Sequence, residues 1–429
     1  MTNQAPALTQ FRIEPRDGGI IHFVFDAPGR TMNVFSEAAI TELGAFANWL
    51  ADSDVTGVVI RSGKSTGFCA GADLGELAVA YDMIMGAPPR RRFLAAYDHF
   101  FRLSLAVRAL ETSGKPIASA ISGLALGGGC ELALGTHYRV LADDPGAALG
   151  LPESLVGLLP GAGGTQRLPR LIGVDAALPI LLDGARLSGQ AALEAGIVDE
   201  LVAPGQEIAA AEAWVRSARA PRQPWDRPEP TLRRAAEVSA ALPPTRARVL
   251  AQTLGHYPAQ LAILDCVEFG LPQGFEGAIR GEMAIFAELI QRAEARNMIQ
   301  TLFLGKTEYE RLARKSQVPA FVAEAVARAK AVLAASGDTA EALASAGFKI
   351  PGKSVAPLRE HAFPGYWIES AEAGSLGREA LAVLRQIAEA VAPLAFGHTD
   401  LDLRAADYRI LRETGYPAYL GGPFTFKAN

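Results

Sequence analysis

Two glutamates lie in apolar, glycine-rich surroundings, where an ionised side chain is expensive to bury. Glu131 follows three glycines in the segment ALGGGCELAL, and Glu153 lies among leucines in LGLPESLVGLL. A buried carboxylate is tolerated when it is paired, hydrogen-bonded or shifted in pKa. Two such acids are what acid–base chemistry on a small bound molecule requires. The structural alternative is that Glu131 only favours a helix start and Glu153 is a satisfied buried acid.

The glycines before Glu131 fall where a strand is predicted to turn into a helix. The segment from Pro116 to Ser122 is typical of a buried strand, and the residues after Gly129 have helical composition. The first N–H groups of a helix have no internal partner, and glycine lets a ligand approach them closely. The pattern suits an oxygen that gains negative charge during a reaction, although a simple glycine-rich helix start has the same appearance.

A second loop of accessible N–H groups is predicted at Phe68 to Leu77, with the sequence FCAGADLGEL. It combines a strand end, small residues and a probable helix start, so it could supply another donor to the same oxygen. A further glycine run, Gly161 to Gly164, follows Glu153 and indicates either a close backbone approach or a turn.

The first two hundred residues alternate strand and helix signals, which predicts an α/β domain. Ile21, Phe23 and Phe25 share one strand face, and Ser36 is positioned to cap a helix. The proline-rich segment from Ala220 to Pro230 is predicted to be an extended linker, and the remainder of the chain is predicted to be mostly helical. Similar nonapeptides at 358–366 and 411–419 indicate a duplicated helical unit.

Composition narrows the class of protein. The chain has 429 residues, a formal net charge of −5 and a pI near 5.8, so no basic excess favours nucleic acid. Its length predicts two or three domains. Cys69, Cys130 and Cys266 are too scattered for a disulfide framework or a zinc site. With no signal peptide and no apolar run long enough for a membrane span, we expect a cytoplasmic protein.

Three linked motifs resemble the enoyl-CoA hydratase/isomerase (crotonase) family over about residues 15–205. They are FCAGADL, GLALGGGCELAL and GLPESLVGLLPGAGGTQRLPRLIG, in the family's order and spacing. The likeness is closest to the hydratase half of multifunctional fatty-acid-oxidation enzymes. It implies a crotonase-like ββα spiral domain over 1–205, a linker and helical segment over 206–315, and a helical domain over 316–429. The last resembles the end of the 3-hydroxyacyl-CoA dehydrogenase region.

The resemblance also implies roles for individual residues. The N–H groups of Ala72 and Gly128 would form the oxyanion hole, and Glu131 and Glu153 would be the catalytic pair. Which glutamate is the acid and which the base stays open. The residues implied to line the coenzyme A side of the pocket are Asp73, Leu74 and Gly75. No metal site is expected, because no histidine has metal-ligand spacing. No NAD cofactor is expected either, because the chain lacks a G-x-G-x-x-G motif.

The implied function is hydration of a trans-2-enoyl-CoA to a 3-hydroxyacyl-CoA by a lyase with an acyl-CoA thioester substrate. Two alternatives share the same strategy of stabilising an enolate: an enoyl-CoA delta-isomerase and another reaction of the crotonase superfamily. A third alternative is a non-catalytic assembly module built around the helical C-terminal part. A homo-oligomer is compatible with each of these functions, whereas the length and branching of the acyl chain are not indicated.

Overall fold

Two β-sheets form the framework of the N-terminal half of the chain. The computed structural model describes residues 4–219, 221–227, 231–358 and 366–426, with the backbone alone at 231–233. In these residues the strands are β1 (Phe11–Pro15), β2 (Ile20–Phe25), β3 (Gly57–Ser62), β4 (Ile117–Ile121), β5 (Leu124–Leu126), β6 (Tyr138–Ala142), β7 (Ala148–Gly150), β8 (Arg186–Leu187) and β9 (Glu200–Val202). The alternation of short strands with helices confirms the α/β prediction for this half.

The larger sheet is mostly parallel, with strand order β1-β2-β3-β4-β6-β9. Only its first pair, β1 and β2, is antiparallel among the described residues. Strand β4 is buried along its whole length, as expected for a parallel strand covered on both faces. The smaller sheet has the order β5-β7-β8, and its strand β5 leads directly into the helix that carries Glu131.

Helices cover the sheets and dominate the later part of the chain. They are α1 (Glu37–Asp52), α2 (Leu74–Gly86), α3 (Pro89–Glu111), α4 (Gly128–Leu134), α5 (Gly164–Ile172), α6 (Val174–Asp183), α7 (Gly189–Ala195), α8 (Glu207–Ser217), α9 (Thr231–Thr253), α10 (Pro258–Gly270), α11 (Phe275–Ile290), α12 (Ala293–Met298), α13 (Lys306–Arg314), α14 (Ala320–Ala335), α15 (Ala340–Ser345), α16 (Gly374–Val391) and α17 (Asp400–Thr414). Ser36 caps α1 as predicted, since its side chain accepts a hydrogen bond from Ala39 N.

The described residues fall into two compact units. The first lies within Met1–Ser154, Leu159–Leu242 and Ala262–Glu288, so it contains both sheets and most of α11. The second lies within Leu155–Leu158, Pro243–Leu261 and Leu289–Asn429, and its core is helical, with Leu384, Ile387 and Ile410 fully buried. The predicted boundaries at residues 205 and 315 stay predictions. Most of the first copy of the predicted repeat, 359–365, lies outside the described residues.

Part of the proline-rich segment predicted to be a linker packs within the first unit. Residues 221–227 contain a short 3-10 turn, Pro224–Asp226, in which Trp225 is buried. Asp226 forms an ion pair of 2.6 Å with Arg108. The extended-linker prediction is therefore wrong for these residues, because burying a large indole ring outweighs the extended preference of the prolines. The rest of that segment lies outside the described residues.

Candidate active site

The consecutive glycines mark the end of a strand and the first turn of a helix. Helix α4 begins at Gly128, slightly earlier than the prediction, which placed the helical residues after Gly129. Gly127 has φ +54°, a left-handed conformation that other residues rarely adopt. A Cβ at this position would lie 2.9 Å from Oε1 of Glu153. Glycine is therefore required at 127 for both its conformation and the space it leaves for the carboxyl group.

The loop that carries Ala72 packs directly against this helix start. A Cβ on Gly129 would lie 2.4 Å from the carbonyl oxygen of Cys69, which is closer than any side chain tolerates. A Cβ on Gly71 would lie 3.3 Å from the backbone nitrogen of Gly128. The absence of side chains at these positions lets the two loops touch through their backbones, as the two glycine-rich motifs predict.

The hydrogen bonds of the loop set the direction of the Ala72 N–H. The N–H of Phe35 donates to the carbonyl of Gly71 over 2.8 Å, and the carbonyl of Phe35 accepts from Asp73 N over 3.0 Å. In such a parallel bridge the N–H of the intervening residue points away from the partner strand. Neither Ala72 nor Gly128 donates a backbone hydrogen bond to another residue that the structure describes. The two predicted oxyanion donors thus lie on neighbouring loops, and neither N–H is used by another described residue.

Glu131 is buried and is held by two backbone donors. Its Oε1 accepts hydrogen bonds from Ala162 N at 2.7 Å and from Gly164 N at 2.8 Å. Burial raises the pKa of Glu131 to about 7, against the opposing effects of these two bonds and of the Arg167 charge. The side chain is therefore ionised above neutral pH, although it is almost inaccessible to water.

Glu153 lacks such donors at one of its oxygens. Its Oε2 is inaccessible and has no hydrogen-bond partner among the described residues. Burial raises the pKa of Glu153 well above its usual range, and the charge of Glu131 raises it further. The turn that carries it is fixed by the hydroxyl of Ser154, which donates to the carbonyl of Leu182 over 2.9 Å. These surroundings favour the protonated form of Glu153.

The site combines two N–H groups that bond to no other described residue, an acid held by backbone donors, and an acid whose surroundings raise its pKa. Gly127 links them, because its missing side chain leaves space for the Glu153 carboxyl group and it directly precedes the helix of Glu131. Such a site can stabilise a developing oxyanion while one carboxylate removes a proton and the other donates one.

The residues predicted to line the coenzyme A side lie at the start of α2. Asp73 caps this helix, since its Oδ1 accepts from Gly75 N at 2.9 Å and from Glu76 N at 3.2 Å. Its other oxygen pairs with Arg30. The carboxylate of Asp73 and the N–H of Gly75 thus have partners already. The contact of coenzyme A with these residues and Leu74 stays a prediction.

Sequence reasoning missed a third buried acid near this site. Glu282 on α11 is buried, and its Oε1 accepts a hydrogen bond from Gly163 N over 2.6 Å. A signal was available, because Ile279, Met283 and Phe286 form an apolar helical stripe in which Glu282 occupies an inward position. A charged residue on such a stripe is unusual enough to mark a buried hydrogen-bonding role.

The three cysteines are buried and free, which agrees with their interpretation as core residues. Burial raises the pKa of the Cys69 thiol to about 12 and also raises the pKa values of Cys130 and Cys266, so none is a thiolate at neutral pH. Across the ranges that the structure describes, His, Cys, Asp and Glu form no group of three that could hold a metal ion. No described helix is long and apolar enough to cross a bilayer.

Comparison with known proteins places this site in a family. Residues 16–223 match the enoyl-CoA hydratase/isomerase family. A fatty acid oxidation complex subunit alpha from Shewanella amazonensis is 36% identical over 305 residues, covering 70% of this chain and 42% of the relative. The subunit of the same name from Shewanella frigidimarina is 34% identical over 313 residues, covering 70% and 41%. The chain thus spans about two fifths of the length of these curated relatives.

A solved enoyl-CoA hydratase from Bacillus anthracis is 30% identical, with 54% of this chain and 83% of that chain covered and a TM-score of 0.42. Over its N-terminal half, the chain belongs to the enoyl-CoA hydratase/isomerase family, which is a class of acyl-CoA enzymes. The predicted crotonase-like α/β domain, followed by a mostly helical region, is therefore confirmed.

Proposed function

We propose that this protein catalyses the reversible hydration of a trans-2-enoyl-CoA to the 3-hydroxyacyl-CoA. The observation that carries the proposal is the pairing of Glu131, held by backbone donors, with Glu153, whose Oε2 has no partner among the described residues. Membership of the enoyl-CoA hydratase/isomerase family supports a coenzyme A thioester as substrate. The name that the Shewanella relatives share supports a place in fatty-acid breakdown.

The oxyanion hole is the first part of the proposed mechanism. The N–H groups of Ala72 and Gly128 would bind the thioester carbonyl oxygen of the substrate. When water attacks the β-carbon, the π electrons move towards that oxygen and form an enolate. Donors fixed in advance stabilise the charge without reorganisation, and losing one such donor typically costs about 3 kcal/mol of transition-state stabilisation.

The two glutamates divide the proton transfers. Glu131, which has a pKa raised to about 7 and two donor bonds to its Oε1, is suited to take a proton from the attacking water. Glu153, with a pKa well above its usual range, is suited to give its proton to the α-carbon as the enolate collapses. The product carries a new C–O bond at the β-carbon and a new C–H bond at the α-carbon. Return of the proton from Glu131 to Glu153 through solvent completes the cycle.

The test is the near-ultraviolet absorbance of an enoyl thioester after addition of the full-length protein. Hydration removes the conjugated chromophore, so the absorbance falls until equilibrium is reached. Starting from a 3-enoyl-CoA, an isomerase would create the chromophore instead. A non-catalytic assembly module would change neither substrate. A panel of acyl-CoA substrates that differ in chain length and branching defines the preferred acyl group.

Several expectations belong to this proposal. We propose that Asp73, Leu74 and Gly75 lie on the coenzyme A side of the pocket, and that NAD supports no oxidation of the hydroxyacyl product. We also propose that the protein acts in the cytoplasm and self-associates. Production of NADH by the pure protein would contradict the expected absence of a dehydrogenase activity.

A further inference from the structure

Helix α11 inserts a carboxylate into the loop that holds Glu131. Glu282 accepts hydrogen bonds from Gly163 N at 2.6 Å and from Thr165 N at 3.0 Å, and its Oε2 also accepts from the Thr165 hydroxyl. The side chain is buried, with 1% of its surface exposed. Since α11 lies beyond the region that matches the family, its contribution to the site is separate from the glycine-rich motifs.

Four consecutive N–H groups at the start of α5 alternate between the two acids. Ala162 and Gly164 donate to Glu131, whereas Gly163 and Thr165 donate to Glu282. One carboxylate therefore holds each side of the same short backbone segment. A rotation of this segment that breaks the bonds to one acid also changes the bonds to the other, because the planar peptide groups that donate to the two acids alternate along one backbone.

The charged groups around this segment leave little freedom for it to move. Arg167 donates to the carbonyl of Ala162 over 2.5 Å and forms a fully buried ion pair of 2.6 Å with Glu111. Arg167 thus holds the loop from the α3 side, while the N–H groups of the loop donate to the two acids.

Burying the Glu282 carboxyl group beside Glu131 costs free energy. Burial and the charge of Glu131 raise the pKa of Glu282 to about 8, against the opposing effects of the bonds from Thr165 and Gly163 and of the Arg167 charge. A local serine or aspartate could have capped α5 without burying a second acid beside Glu131. Instead, the position before α5 is Gly163, which has no capping side chain.

We propose that Glu282 is a positioning residue that acts through Glu131, by fixing the N–H groups of Ala162 and Gly164 in the orientation that Glu131 requires. This inference rests on the proposed role of Glu131 in hydration. Glu282 itself contacts no reacting atom in this account. Its removal therefore slows the chemical step and leaves substrate binding almost unchanged.

The kinetic test compares Glu282→Gln with Glu276→Gln, a matched control on the same helix whose side chain is 60% exposed. Glutamine keeps the shape and one acceptor oxygen, but it replaces the other oxygen with an NH2 group that cannot accept a hydrogen bond from the loop. We expect Glu282→Gln to lower kcat by about tenfold to a hundredfold with KM changed by less than about twofold, because a small misplacement is costly. The control should match wild type.

A double-variant cycle separates positioning from general damage. If Glu282 acts through Glu131, adding Glu282→Gln to Glu131→Gln lowers kcat by no more than about a further twofold. If the two losses multiply instead, Glu282 has an independent role and the proposal is wrong. Full activity of Glu282→Gln, with Glu131→Gln inactive, would also overturn the positioning role while leaving the hydratase proposal intact.

A measurement without substrate tests the positioning role of Glu282 even if the protein hydrates no enoyl-CoA. In full-length protein labelled with [15N]glycine, amide exchange is followed at Gly164, which donates to Glu131 and makes no bond to Glu282. We expect Glu282→Gln to speed this exchange about tenfold and Glu276→Gln to leave it unchanged. Unchanged exchange at Gly164 in Glu282→Gln would overturn the proposal. Should that variant fail to fold, Thr165→Val, which removes one donor to Glu282, must show the same direction of change.

Discussion

The start of helix α4 and the short turn at Glu153 place the same type of side chain in opposite electrostatic surroundings. At α4, two backbone N–H groups stabilise the charged form of Glu131. At the turn, Oε2 of Glu153 is buried without a donor from any described residue, and the nearby charge of Glu131 favours the neutral form. In the mechanism that we propose, this difference in hydrogen-bond donors makes Glu131 the base and Glu153 the acid.

The strongest test of this division is to neutralise each acid separately. Glu131→Gln and Glu153→Gln should each lower the hydration rate by about a hundredfold to ten-thousandfold, the usual contribution of a positioned acid or base. Binding of coenzyme A, measured by calorimetry, should stay almost unchanged and serves as the folding control. The double variant should be little worse than the poorer single variant, because both acids act in one reaction. Hydration that survives both single substitutions would contradict the mechanism. Loss of activity in only one of the two single variants would favour an isomerase.

A smaller effect is expected when Gly127, which lies beside Glu153 and directly before helix α4, is replaced. Gly127→Ala introduces a Cβ at φ +54° and at 2.9 Å from Glu153 Oε1, so the carboxyl group must move. We expect hydration to fall by about tenfold to a hundredfold, and stability to fall by about 1–3 kcal/mol. Gly86→Ala, at a site with nothing within 4 Å, is the control and should be neutral in activity. Wild-type kinetics for Gly127→Ala would show that Glu153 needs no fixed position.

The pH dependence of kcat reports the two protonation states in the wild type. Activity should rise as pH increases through about 7, where Glu131 ionises, and fall at higher pH as Glu153 loses its proton. The rise in activity near neutral pH should be absent from the pH profile of the residual activity of Glu131→Gln. Rates that stay constant from the acidic range to well above neutral pH would show that neither acid changes state during catalysis.

The smallest expected effect is on stability. The pKa of Glu131 rises from 4.5 to about 7 on folding, so the folded state binds this proton more tightly than the unfolded state. Stability is therefore lost as pH rises from about 4.5 through about 7. Because Glu131→Gln has no carboxyl group to ionise at this position, its melting temperature should decline less than that of wild type across this pH range. Parallel declines in the two proteins, followed by calorimetry, would contradict the raised pKa.

The glycine-rich motifs allowed much of the site to be predicted, because glycines are needed where backbones touch. The close backbone approach at Gly127 and at the loop before Ala72 could be predicted from the sequence for that reason. The apolar stripe around Glu282 indicates that this acid is buried, but its partners could not be predicted, since Gly163 and Thr165 are 119 and 117 residues away along the chain. The different surroundings of Glu131 and Glu153 could not be predicted either, because the donors to Glu131 come from another loop.

The burial of Trp225 shows a second reason why part of the fold could not be predicted from the sequence. Several prolines around this residue indicate an extended chain, and local propensity has no information about a distant apolar surface. In the folded unit the indole ring stacks on Phe275 of α11 with ring centroids 5.2 Å apart. Tertiary packing of one large side chain therefore overrode the local preference of the segment.

Infrared difference spectroscopy tests the division of the two acids most directly. Wild type is compared with each single glutamine variant at about pH 8, a unit above the pKa of Glu131. Glu153→Gln should remove the carbonyl stretch of a protonated carboxylic acid, whereas Glu131→Gln should remove only carboxylate bands. Loss of carboxylate bands in both variants would show that both acids are ionised. The assignment of Glu131 as base and Glu153 as acid would then be wrong.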